Sequence, residues 1–108
     1  MTQRLPKIVS KFCYGHNAWI VGSGARDDNP KDYDLAIPFS NWKQAGMLIP
    51  IDARPNSFGG WKFYQEGVPI DIWPCELGQL MTNEMVTHLW HPQSGSYFTR
   101  TINKQDDN

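Results

Sequence analysis

The sequence predicts an α+β domain built on one small mixed β-sheet flanked by helices. Three observations predict it. Apolar residues recur at helical spacing near the start of the chain and again after residue 76. Short apolar or alternating runs at residues 18–21, 32–37, 61–65 and 68–73 have the length and pattern of strands. Gly, Pro, Asn and Asp clusters separate these segments, giving the order helix, strand, loop, strand, helix, hairpin, helix.

Each element has its own reason. Leu5, Ile8, Val9 and Phe12 share one helical face, which predicts an amphipathic helix over residues 4–14 closed by Gly15-His16-Asn17. Ala18-Trp19-Ile20-Val21 is a buried strand, broken by Gly22-Ser23-Gly24, and residues 25–31 form a loop or a short helical turn. Asp32 to Ile37 alternates as a second strand and stops at Pro38; Ser40 is placed to cap a helix running to about Leu48. Residues 50–60, with two Pro and two Gly, are a loop. The segments 61–65 and 68–73 pair as a hairpin around Glu66-Gly67. Leu77, Leu80, Met81, Met85, Val86 and Leu89 predict an amphipathic helix from Glu76 to about Trp90, ended by His91-Pro92. Residues 96–102 are an edge strand or an ordered arm, and residues 105–108 a frayed tail, so a single domain occupies residues 1–104.

Composition narrows the function. A 40% hydrophobic and 19% charged chain folds rather than staying disordered. A net charge of −1 argues against a strongly basic nucleic-acid binder and leaves at most a local phosphate patch among Arg4, Lys7, Lys11, Arg26 and Lys31. Cys13 and Cys75 lack metal-ligand spacing, no secretory leader is legible, and no apolar run reaches a membrane span of about 20 residues. Free thiols and a cytoplasmic location are expected.

The chemistry lies between Val21 and Ala36. Asp32 and Asp34 are two apart on an expected strand, so both carboxylates lie on one face while Tyr33, Leu35 and Ile37 face the core. Adjacent carboxylates repel unless a cation neutralises them, and a hard divalent ion such as Mg2+ or Mn2+ is the natural partner. Asp71, between Ile70 and Ile72, is an acid in an apolar strand. Pairing of that strand with residues 32–37 would make a three-carboxylate site suited to phosphoryl transfer. The Gly22-Ser23 turn offers backbone N–H groups and a hydroxyl to phosphate, and Arg26 either meets the phosphates or pairs with an aspartate. His88 and His91 are three apart but lack a further ligand, and Trp61, Phe63 and Tyr64 are expected in the core more than as a stacking surface.

The words Val21-Gly22-Ser23-Gly24-Ala25-Arg26-Asp27 and Pro30-Lys31-Asp32-Tyr33-Asp34-Leu35-Ala36, followed by Asp71, resemble the core of the nucleotidyltransferase superfamily that includes DNA polymerase beta. They are closest to the head domain of CCA-adding enzymes and bacterial poly(A) polymerases. The resemblance covers residues 18–37 and 68–73, about a quarter of the chain. It implies a nucleotidyltransferase-like mixed sheet and transfer of a nucleoside monophosphate from a nucleoside triphosphate. Gly22, Ser23 and Arg26 would bind the nucleotide; Asp32, Asp34 and Asp71 would be the metal and catalytic residues, with Asp71 helping to deprotonate the acceptor hydroxyl. The acceptor could be a protein, an RNA end or a small molecule. Two departures accompany it. Only eight residues separate Ser23 from Asp32, so the intervening helix must be short. The helical domains with which CCA-adding enzymes read tRNA have no counterpart, so templated CCA addition is not expected. A non-catalytic protein on the same fold, binding a nucleotide, nucleic acid or protein partner as an accessory or antitoxin-like factor, is the alternative.

Overall fold

A computed structural model describes residues 5–100. Its elements are α1 (Lys7–His16), β1 (Trp19–Val21), α2 (Ser23–Arg26), β2 (Tyr33–Ile37), α3 (Phe39–Ala45), β3 (Arg54–Pro55), β4 (Trp61–Gln65), β5 (Val68–Pro74), α4 (Leu77–Thr82), β6 (His88–His91) and β7 (Ser96–Thr99), with a 3-10 turn at Gly46–Leu48 extending α3. The seven strands form one sheet in the order β3-β4-β5-β2-β1-β6-β7. Among the described residues only β2 and β5 run parallel. The architecture is α+β with a mixed sheet.

Strand alternation divides the interior into two clusters. On one face Ile20, Leu35, Ile37, Phe63, Ile70 and Ile72 pack against Ile8, Val9, Phe12 and Cys13 of α1 and Ala45 of α3. On the other, Val21, Ala36 and Leu89 pack under Leu80 of α4 and Val86. A six-residue α4 spans only about 9 Å, so it covers part of that second face. Asp34 and Asp71 lie on it, half-buried.

The hairpin forms as expected. Glu66 (φ 55°) and Gly67 (φ 79°) both take positive φ, the mirror-image turn that matches strand twist. Gly24 is required by packing: a Cβ there would stand 2.8 Å from Ile20 Cγ2 and 3.0 Å from Tyr33 Cδ1.

Several boundaries differ from expectation. The helix expected over 76–90 ends at Thr82. Asn83 there closes a turn, its N–H donating to the Leu80 carbonyl and its Oδ1 accepting from Met85 N. The β-branched and aromatic run Val86 to Trp90 then supplies β6, which covers the β1 edge through Ile20↔Trp90 and Val21↔Leu89. A helix through residue 90 would have left that edge unpaired by β6. Ser40 is not the cap of α3; the helix starts at Phe39, whose N–H donates to Glu76 Oε2 at 2.6 Å. Glu76 also forms the capping box of α4 with Gln79, so one carboxylate caps two helices. The first helix starts after Pro6 and runs through Gly15 to His16, where Asn17 turns left-handed (φ 60°). Residues 50–60 contain the short strand β3. Arg4 and residues 101–108, including the expected tail and the end of the 96–102 segment, lie outside the described residues.

Candidate functional site

The parallel register of β2 and β5 places Asp34 directly opposite Asp71. The neighbouring pairings extend this into one row across the sheet: Arg54↔Lys62, Lys62↔Asp71, Asp71↔Asp34 and Asp34↔Val21. Directly paired residues point to the same face. Two cations, two carboxylates and the apolar end of β1 thus stand side by side. Asp32 precedes β2 rather than lying within it, but it remains electrostatically coupled to Asp34.

That coupling is the site's main electrostatic feature. The Asp34 carboxyl is pushed up to about 6, first by burial, then by the negative charges of Asp32 and Asp71, with Lys62 opposing. Desolvation and like charge both disfavour ionisation, and a cation would relieve both. Asp71 is held from the other side. Asn56 Nδ2 donates to Asp71 Oδ1, to the Ile72 carbonyl and to the Trp61 carbonyl, each at 3.1 Å. Its Oδ1 accepts from Gly60 N at 2.8 Å and Phe58 N at 3.0 Å. Asn56 therefore fastens the 56–60 loop beside Asp71. Gly60 lets the loop come this close, because a Cβ there would fall 1.8 Å from the Ile72 carbonyl oxygen.

Asp32, Asp34 and Asp71 offer hard oxygen donors of the kind a divalent ion takes; Asp34 and Asp71 are directly paired, and Lys62 opposes the effect of the two other carboxylates on Asp34. Among the described residues no three His, Cys, Asp or Glu side chains converge as a ready-made ion cage. The Asn56 bond to Asp71 Oδ1 is one contact that a third ligand would have to share or exchange.

The glycine turn lies at the open end of β1, beside Asp34. Gly22 has φ 76° and ψ −135°, a conformation that side chains disfavour, and its Cβ position is 4.0 Å from Asp34 Oδ2. Its own N–H donates to the His88 carbonyl at 3.0 Å. Gly22 thus contributes backbone shape, and Ser23 is the residue of the pair with a hydroxyl to offer. The short helix expected here is the four-residue α2. Arg26 pairs with Asp27, Nε to Oδ1 at 3.0 Å, on the exposed surface. This is the second of the two roles expected for it.

Other candidates resolve differently. His88 and His91 lie on β6, not on a helix; His91 packs against Trp19 at 4.9 Å between ring centroids and bonds Ser94 Oγ. Phe63 is buried core, whereas Trp61 and Tyr64 are exposed. Burial pushes the Cys13 thiol up to about 12 and raises that of Cys75, so neither is an activated nucleophile. Both are free thiols. Among the described residues no helix is long and apolar enough to cross a membrane.

Sequence reasoning missed Asn56, Lys62 and Trp73. Lys62 and Asn56 gave no signal, since only the register and a loop-spanning bond bring them to Asp71. Trp73 did: it is two residues beyond Asp71 on one strand, so strand alternation puts it on the Asp71 face. No family model matches the chain, and no match to it was found among curated proteins or solved structures.

Proposed function

We propose that the domain is a nucleotidyltransferase-like enzyme that uses Mg2+ or Mn2+ to move a nucleoside monophosphate from a nucleoside triphosphate to a hydroxyl acceptor. The observation that carries this reading is the face-to-face pairing of Asp34 with Asp71 on parallel strands, with Asp32 coupled to the pair and the Gly22-Ser23 turn at the adjoining strand end. Asp32, Asp34 and Asp71 would hold the metal, which when bound neutralises phosphate charge and lowers the pKa of a coordinated hydroxyl. Ser23 would donate to the phosphates. Asp71, at the Lys62 side of the pair, would take the proton as the acceptor oxygen bonds to the α-phosphorus; the bond from that phosphorus to the bridging oxygen breaks, and pyrophosphate leaves with its electron pair. Arg26 joins the phosphates only by exchanging its bond to Asp27.

Titration calorimetry with each nucleoside triphosphate and Mg2+ or Mn2+, wild type against Asp32→Ala/Asp34→Ala, tests the reading. Metal-dependent binding in wild type and its loss in the variant are expected. Absence of metal-dependent binding in wild type overturns it. One observation favours the non-catalytic alternative: the Gly22 N–H and Asp71 Oδ1 already have protein partners. Binding without release of pyrophosphate, across protein and RNA acceptors, would select that alternative.

A further inference from the structure

A cavity of about 370 Å³ opens beside Asp34, between β5 and α4, within the size range of small-ligand pockets. Its walls are unlike the carboxylate cluster. Phe58, 62% exposed, and Trp73 stand with ring centroids 5.3 Å apart and planes inclined by 37°. Leu80 and Val86 line it together with Gln79 and Asn83, and Asp34 lies in its wall. Gln79 uses its Oε1 to accept from Glu76 N, and Asn83 uses its Oδ1 to accept from Met85 N. Among the described residues both side-chain amides thus keep their NH2 ends as donors. An open cavity with an exposed aromatic wall and two amide donors suits a flat heterocycle carrying acceptors on its edge.

We propose that this cavity is the nucleobase pocket of the triphosphate. This deepens the function proposed above and rests on it. The base would lie against Phe58 and Trp73, and the Gln79 and Asn83 amides would donate to its ring nitrogens or carbonyl oxygens. Asp34, shared by cavity and carboxylate cluster, would join the base site to the phosphate site. α4 and the 56–60 loop would then supply base contacts from within this domain.

Calorimetry that compares ATP, GTP, CTP and UTP with inorganic tripolyphosphate, all with Mg2+, separates base from phosphate. Phe58 is exposed, so Phe58→Ala leaves the core intact, and Phe58→Trp restores an aromatic wall. The pocket predicts that at least one nucleotide binds tighter than tripolyphosphate. Phe58→Ala should weaken that nucleotide by roughly tenfold, leave tripolyphosphate unchanged and be rescued by Phe58→Trp. That nucleotide, but not tripolyphosphate, should also shift the methyl NMR resonances of Leu80 and Val86. Tripolyphosphate binding as tightly as every nucleotide overturns the pocket while sparing the metal site. Equal losses for both ligands in Phe58→Ala do the same. Failure of wild type to bind tripolyphosphate or any nucleotide overturns both proposals.

Discussion

The two faces of β2 and β5 are made by the same five consecutive pairings and have opposite chemistry. On the face under α1 and α3, Leu35, Ile37, Ile70 and Ile72 are fully buried. On the other, one residue along in each strand, Asp34, Asp71 and Trp73 stay half-buried. The first face removes apolar area from water and so holds the sheet together. The second keeps a smaller apolar cluster around Ala36 but gathers like charges at Asp34 and Asp71, which work against folding. A period of two lets one pair of strands do both.

This contrast can be tested from either side. The largest expected effect is on the buried face. Ile72→Ala should cost about 2–5 kcal/mol in chemical denaturation and leave the metal affinity proposed for the carboxylate cluster unchanged per folded molecule. A comparable loss of metal affinity would show that the two faces are not separable. Asn56→Ala comes next. It leaves Gly60 N and Phe58 N without their acceptor and frees Asp71, and should cost about 1–3 kcal/mol, read by the same denaturation. Glu76→Ala removes the cap shared by α3 and α4 and should cost about 1–2 kcal/mol.

On the carboxylate face the sign reverses. Asp34 holds its proton more tightly folded than unfolded, so its contribution to stability is greatest below the ordinary carboxylate pKa. That contribution falls as pH rises from about 4 and is lost above about 6. Thermal melts of wild type and Asp34→Asn across this window isolate the effect. The variant should melt higher than wild type at neutral pH, and their difference should shrink on acidification. A variant less stable than wild type at pH 7 would mean that Asp34 has a stabilising partner. The smallest effect is Arg26→Ala, which should leave the melting temperature unchanged because its pair with Asp27 is exposed.

How far these features were legible depended on their range in sequence. The hairpin was legible because Glu66-Gly67 names its turn and flanking residues alternate. The burial of Tyr33, Leu35, Ile37, Ile70 and Ile72 followed from the same alternation. The helix expected over 76–90 failed because Leu80, Val86 and Leu89 fit helical spacing but answer to two elements. Leu80 packs from α4, while Leu89 sits on a strand that serves β1. Arg26 could be narrowed to two roles, and in the structure it pairs with its immediate neighbour Asp27.

By itself the sequence determined which residues share a face, because side-chain direction along a strand is a local property of the backbone. It therefore set Asp34 apart from Tyr33 and Leu35 and made Asp71 the odd acid in an apolar run, whereas Asp32, expected on the same strand, precedes it. Only the tertiary structure decided that Asp34 faces Asp71 in a parallel pair, that Lys62 and Asn56 flank them, and that Phe58 joins Trp73 beside α4. Those relations depend on which strands become neighbours and in what register. That choice is made by packing across the whole sheet, where no local pattern reaches.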